Sequence, residues 1–332
     1  MVEDLVREGP ERVVDRMSKS LDDPKLQALC CQALINLSSN NTVVQGLIGQ
    51  QLGGIHLVVR SIVQHLNEEK VQEKGIGVLC SLTLVPSNRS LIGSLHGEKL
   101  AMEAMKRFPE SPGVAVESST LMANVAFGSR GNKIWIGRNG GILAILKAMQ
   151  DFPDHRTLQM RGCLALRNIA WGVEDNQAMV SSLGGVVLLY RAIENHVSDS
   201  SIIEQSSVAL CNVVLSTENE SSPGDVTILL SAMDLHRGNS IIQEHCVVLI
   251  DHMVGRQNVC QQEFLKAFGI KTIIEGMKVH SENRGVLLKA SRLLKRLAGV
   301  PEFRNQIFDY GGIELLADIL CLTLNGGSEI IH

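Results

Sequence analysis

An all-α array of about seven three-helix repeats, each of ~43 residues, is the fold this sequence predicts. Three observations predict it. Glycine steps recur in front of apolar helical stretches. A slot that carries asparagine returns on the same period. The slots around that asparagine keep their character from copy to copy.

The glycine steps are "LGGIHLVV" at Gly53, "NGGILAIL" at Gly140, "LGGVVLLY" at Gly184 and "YGGIELLA" at Gly311, with a weaker "AFGIKTII" at Gly269. From the second glycine, Gly141 to Gly185 is 44 residues, Gly269 to Gly312 is 43, and Gly54 to Gly141 is 87, two periods. Glycine suits a sharp turn between helices, where a missing Cβ permits positive φ and close packing.

The asparagine slot holds Asn36, Ser81, Asn124, Asn168, Asn212, His252 and Arg296, at steps of 45, 43, 44, 44, 40 and 44. The short step spans "STENESSPGDV", the most loop-like stretch of the chain. One residue after the slot lie Leu37, Leu82, Val125, Ile169, Val213, Met253 and Leu297; two before it lie Leu34, Leu79, Met122, Leu166, Leu210, Ile250 and Leu294. Ten before it stand Leu26, Val71, Val114, Leu158, Ile202, Ile242 and Val286. Six before it the residue is always small: Cys30, Gly75, Ser118, Gly162, Ser206, Cys246, Ala290. These slots make one broad apolar stripe of a helix, and the Asn lies on a second stripe beside it.

Each unit thus reads as a short helix ("EDNQAMVSSL"), a glycine break, a second helix ("VVLLYRAIENH"), a loop, and a longer third helix that ends near the Asn. The expected organisation is a single array over 1–332. It comprises a partial unit 1–52, units of about 53–96, 97–139, 140–183, 184–224, 225–268 and 269–310, and an incomplete unit 311–332. The first helices, "VEDLVREG" and "PERVVDRMSKSL", read as the tail of a preceding unit. The last unit stops before a third helix and leaves its core uncapped, so the chain is expected to be part of a longer protein. Homo-oligomerisation or an intramolecular contact is the other expectation at that end.

The three-helix unit, the Gly-Gly-Ile/Val start of the second helix, and third-helix cores such as "CLALRNIA", "SVALCNVV" and "CQALINLS" resemble the armadillo-repeat family over essentially the whole chain. HEAT repeats, with two helices and no Gly-Gly start, fit less well. The resemblance implies a right-handed α-solenoid whose third helices line a concave groove, and a function in binding proteins. A fold of this kind leaves the function open among scaffolds, import adaptors, exchange factors and regulatory domains.

On that reading the slots of the second stripe face a partner. Asparagine both donates and accepts, so Asn124, Asn168 and Asn212 on successive rungs offer a ladder to the backbone of an extended segment, about three residues per rung. The alternative for each is a cap or a bridge to the neighbouring repeat. Phe127 and Trp171, three residues past the slot, and Arg161 and Arg167 beside it, are residue types that dominate interfaces. The two aromatics have the alternative of packing the helix end against the next repeat. The last complete rung, "LLKASRLLKRLAG", is basic through Lys289, Arg292, Lys295 and Arg296, and reads either as a dock for an acidic partner or as a solvated face. Import adaptors of the family carry Trp four residues before the ladder Asn. Here that slot holds Gln32, Gly77, Thr120, Leu164, Val208, Val248 and Arg292, which disfavours nuclear import.

Composition narrows the classes. A net charge of −4 and 3% aromatic residues supply neither the basic field nor the stacking platforms of a nucleic-acid binder. No stretch approaches a membrane span, and the N-terminus has neither a signal peptide's apolar core nor a myristoylation glycine. Eight cysteines without CxxC pairs read as free thiols of a reducing compartment, cytoplasm or nucleus.

No nucleotide, hydrolase or metalloprotease motif occurs. His245, Cys246, Asp251 and His252 are the nearest approach to a metal set, and Cys246 falls in the small core slot, turned away from the histidines. The expectation is therefore no cofactor, no metal and no catalysis. The function expected is a non-catalytic scaffold or adaptor for a protein or extended peptide. Its alternative is a regulatory domain acting on an attached catalytic domain or a small GTPase.

Overall fold

Helices account for every regular element among the described residues, 1–216 and 222–318, of this computed structural model: twenty-one α-helices and one π-turn, Leu47–Gln51. Cys321, the second half of the expected last second helix and the uncapped C-terminal end lie outside the described residues. The chain divides into two compact units, Met1–Leu188 and Leu189–His332.

In the first unit the third helices Pro24–Ser38, Glu69–Leu82, Pro112–Ala126 and Arg156–Ala170 pack side by side in chain order. Val2–Glu8 and Pro10–Lys19, read above as the tail of a preceding unit, pack on Pro24–Ser38 as its first and second helices. In the second unit Ser200–Val214, Ser240–Val254 and Arg284–Leu297 repeat the pattern. The slots two and six residues before the Asn are buried in all seven third helices. The slots at ten before and one after are buried in six, with Leu26 and Leu37 of the first rung half-buried. The small slot has a steric reason. A Cβ on Gly75 would come within 2.6 Å of Ile62, and one on Gly162 within 2.6 Å of Met149, because the second helix lies against that point.

Most third helices start on a side-chain cap thirteen residues before the Asn slot. Asp23, Ser111, His155, Asp199, Asn239 and Asn283 each accept from backbone N–H groups of the first turn. The glycine pairs divide their labour. Gly53, Gly140, Gly184 and Gly311 have φ of 65–88°, and the glycine after each lets the second helix sit on the end of the first, where a Cβ on Gly141 would lie 2.5 Å from Ile136. Where the first glycine is missing, His96 and Phe268 adopt φ of 56° and 55° instead. Between Val214 and Pro223 lie eight residues, against fourteen between Ala170 and Gly185, which is the origin of the 40-residue step.

First helices of the Met1–Leu188 unit stack through a glycine and an amide. Asn88 Nδ2 donates to Gln45 O at 2.9 Å, and Asn176 Nδ2 donates to Lys133 O at 2.9 Å and Ile169 O at 3.0 Å. Each amide rests on a glycine of the preceding repeat; a Cβ on Gly49 would stand 2.1 Å from Asn88 Oδ1, and one on Gly137 2.0 Å from Asn176 Oδ1. Gly137→Ala is therefore expected to destabilise the protein by about 1–3 kcal/mol. Gly46→Ala, at helical φ −64° and with nothing within 4 Å of a Cβ, should stabilise it by about 0.4–1 kcal/mol. Urea unfolding of the two variants measures the contrast.

Candidate functional site

Asn124 and Asn168 sit where the third helices meet, half-buried, and their amide hydrogens are used inside the protein. Asn124 Nδ2 donates to Thr83 Oγ1 at 2.7 Å and more weakly to Cys80 O at 3.5 Å. Asn168 Nδ2 donates to Ala123 O at 3.0 Å. Both bonds reach the preceding third helix. The same position is bridged by other chemistry elsewhere: the hydroxyls of Ser38 and Ser81 lie 2.8 Å apart, and Arg296 Nη1 donates to Asp251 O at 2.8 Å. Asn36 is exposed and accepts from Gln32 Nε2 at 3.0 Å. Asn212, in the other compact unit, is half-buried, and its carbonyl accepts from Ser216 Oγ at 3.3 Å. Two rungs of the ladder thus take the alternative that the sequence left open, a bridge to the neighbouring repeat. Asn124 and Asn168 bridge adjacent repeats and keep mainly their accepting oxygens for anything outside.

The basic last rung is also engaged. Lys289 Nζ pairs with Glu244, Arg292 Nε lies 3.7 Å from Asp251 Oδ2, and Arg296 Nη1 lies 3.2 Å from Asp251 Oδ1. Both acids sit on the preceding third helix, so three of the four basic side chains of this rung have a carboxylate beside them within the protein. An acidic partner would have to displace carboxylates already in place. Arg161 faces Glu117 of the preceding rung, and Lys74 faces it from the rung before. Burial outweighs both cations and raises the Glu117 pKa above the usual glutamate range. Arg167 is half-buried, and its carbonyl accepts from Trp171 N at 3.2 Å.

Phe127 and Trp171 do not pack a helix end. Their side chains are 61% and 64% exposed, and Leu84, at the same register one repeat earlier, is 60% exposed. Three successive third helices of one compact unit therefore present a large apolar side chain at the same place. The sequence reading missed Leu84, although it stands three residues past Ser81 just as Trp171 follows Asn168. It also missed Arg89, whose guanidinium lies 5.3 Å from the Phe127 ring centroid. Trp171 is held from behind. The buried Lys133 donates to its carbonyl at 2.8 Å, and Arg130 Nη1 donates to the carbonyl of Gly172, a residue with φ of 68°. Burial lowers the Lys133 pKa, with Arg130 adding to the effect.

Other chemistry is sparse among the described residues. All seven described cysteines are outside disulfides and buried. Burial pushes the Cys30 thiol up to about 11 and Cys211 to about 12, the reverse of what a nucleophile needs. No group of three His, Cys, Asp or Glu residues could hold a metal. His245 Nδ1 lies 2.8 Å from Ile241 O, while Cys246 is buried in the core slot. No described helix is long and apolar enough to cross a membrane.

Comparison with known families adds to this geometry. The profile of the LRRK2 ARM repeat matches residues 11–304. The chain belongs to that armadillo family. No curated protein sequence matches it significantly. Among solved structures, one engineered protein superposes with TM-score 0.70 at 20% identity, covering 94% of this chain and 74% of its own. A second engineered protein gives TM-score 0.54 at 16% identity, covering 90% and 97%. A third structure, described as "A conserved phosphorylation switch controls the interaction between cadherin and beta-catenin in vitro and in vivo", gives TM-score 0.69 at 17% identity, covering 95% of this chain and 65% of that one. At these identities the likeness establishes the fold alone, an all-α solenoid, as the sequence predicts.

Two predictions test the wiring. Asn168→Ala leaves the Ala123 carbonyl open and is expected to cost about 1–3 kcal/mol, read as a lower denaturation midpoint. Glu117→Gln acts in the opposite sense. A carboxyl whose folded pKa is raised destabilises the fold once pH exceeds its unfolded value, and that penalty disappears on acidification. The variant should melt higher than wild type at pH 7, and thermal scans across pH should show the gain shrinking as pH falls through the raised Glu117 value and gone below the ordinary glutamate range.

Proposed function

We propose that this chain is a non-catalytic protein-interaction module that takes an extended segment of a partner protein along the third helices of the Met1–Leu188 unit. The row of Leu84, Phe127 and Trp171 carries the reading. Three large apolar side chains exposed in register on successive repeats offer far more contact than scattered surface apolar residues. Neighbouring helices lie about 8–10 Å apart, so an extended segment meets a new rung about every three residues. Apolar side chains of the partner would lie on the row. The free oxygens of Asn124 and Asn168 would accept from its backbone, and Arg89 and Arg167 would favour carboxylates nearby.

The armadillo family and the neighbour from work on cadherin and β-catenin support the interaction class. Buried thiols outside disulfides suit a reducing compartment, so we place the module in the cytoplasm.

The triple variant Leu84→Ser, Phe127→Ser, Trp171→Ser tests the row, because its side chains are already exposed. Wild type and variant would be compared on an array of 12-residue peptides and in lysate capture, with melting recorded alongside. At least tenfold weaker capture at an unchanged melting temperature is expected. Full capture by the variant would refute the row as the binding surface.

A further inference from the structure

A second surface of the Met1–Leu188 unit has the form of a ligand site. Between the second helices Gly97–Arg107 and Gly141–Asp151 lies a cleft of about 620 Å³, within the range of functional pockets. Its apolar floor includes Met102, Trp135 and the exposed Leu143. Lys99 and Lys106 stand on one wall and Lys147 on the other.

The charges are unbalanced. Glu103 is taken by Arg107 at 2.9 Å, which leaves Asp151 as the carboxylate on the lining. None of the three lysines makes an ion pair among the described residues, in contrast to the basic rung of the second unit, where Lys289, Arg292 and Arg296 all have acids beside them. The backbone beside Trp135 also carries conformational cost. His96 occupies the left-handed slot that four other repeats fill with glycine, and its ring lies 6.0 Å from that of Trp135. A non-glycine residue there costs of order 1–2 kcal/mol. Strain that persists on the surface points to a use.

We propose that this cleft docks an amphipathic helix of a partner protein, apolar side chains down and carboxylates outward. The walls are two helices of successive repeats, so the trough between them is shaped for a third helix. Methionines give the floor the adaptability of helix-binding surfaces. Lys99 and Lys106 are seven residues apart, roughly 10 Å along the wall, and Lys147 projects at an intermediate height from the other side. Carboxylates two turns apart on one flank of the bound helix, and one on its other flank, meet these three ammonium groups. The site is separate from the Leu84–Phe127–Trp171 row, and its occupant is helical where the row takes extended chain.

The chain has two tryptophans, Trp135 and Trp171, so Trp171→Phe makes Trp135 the sole indole reporter. In that background the full chain would be titrated with synthetic 15-residue helices carrying one leucine stripe and zero, three or six glutamates, with a lysine version and oleate as further ligands. Expected is a saturable change in Trp135 emission whose affinity rises with the glutamates and is lost with the lysine peptide. Lys99→Gln, Lys106→Gln, Lys147→Gln, all at exposed positions, should weaken the six-glutamate helix at least tenfold at an unchanged melting temperature. Leu143→Asp should weaken it similarly without the lysines being touched. Equal affinity for every charge version, no saturable signal, or an oleate signal that displaces the helix would each overturn the proposal.

Discussion

Every helix leaves its last carbonyl oxygens without a partner, and this architecture ends a helix every ten to fifteen residues. The structure depends on closing those oxygens with side-chain donors. Gln27, Gln72, Gln159 and Gln243, each nine residues before the Asn slot, donate from one buried amide to two carbonyls at the end of the second helix; Gln159 Nε2 reaches Met149 O at 2.8 Å and Phe152 O at 2.9 Å. Gln45, Asn132, Asn176 and Gln261 close the end of the third helix from the first helix that follows. His65 and His280 lie 2.7 and 2.9 Å from carbonyls of the preceding inter-helix loops, Leu21 O and Arg237 O. Because a buried open carbonyl costs about 1–3 kcal/mol, these contacts fix the register of each repeat as firmly as apolar burial does.

That wiring decides what is left for a partner. The amide donors of Asn124 and Asn168 are consumed by the repeat interfaces, and Lys289, Arg292 and Arg296 of the last rung have acids of the rung before beside them. The unspent resources are apolar side chains on an anchored backbone and lysines with no acid beside them. Trp171 shows why anchoring matters. Lys133 and Arg130 hold the carbonyls of Trp171 and Gly172, so the backbone is already fixed before any partner arrives. Binding then loses less to ordering the site.

The fold was readable because its apolar slots answer to burial, and burial is set by local periodicity. Leu34 to Leu294 and Cys30 to Ala290 fall in the core for the reason their spacing implies. The left-handed turns were readable at Gly53, Gly140, Gly184 and Gly311. They were hidden at His96 and Phe268, where the residue type gives no sign of the backbone it must adopt. The ladder was located but only partly understood. Whether Asn168 faces a partner or the Ala123 carbonyl depends on the offset between two helices 45 residues apart in sequence, which no single helix encodes. Glu244 and Lys289, and Asp251 with Arg296, were hidden by the same offset. The glutamine slot did carry a signal. Its recurrence at Gln27, Gln72, Gln159 and Gln243 is visible once the repeats are aligned, but Ala115, Ile203 and Leu287 interrupt it and dilute the pattern.

Those interruptions bear on how such an array evolves a function. Where glutamine is replaced by an apolar residue, the repeat gives up a polar clasp and relies on packing. The clasp is therefore one of several means of holding a repeat, and not an absolute need. The exposed apolar row is different in kind. Fully burying a Leu or Phe side chain contributes about 1.5–3 kcal/mol, and Leu84, Phe127 and Trp171 forgo most of that in the free protein, while Cys80 and Ala123, one helical turn before Leu84 and Phe127, are buried. Gly128 and Gly172, at φ of 73° and 68°, turn the chain sharply directly after Phe127 and Trp171. A sequence shaped for stability alone has polar residues available for that position. Under the proposed function, a partner supplies the burial that these three large apolar groups on consecutive repeats lack.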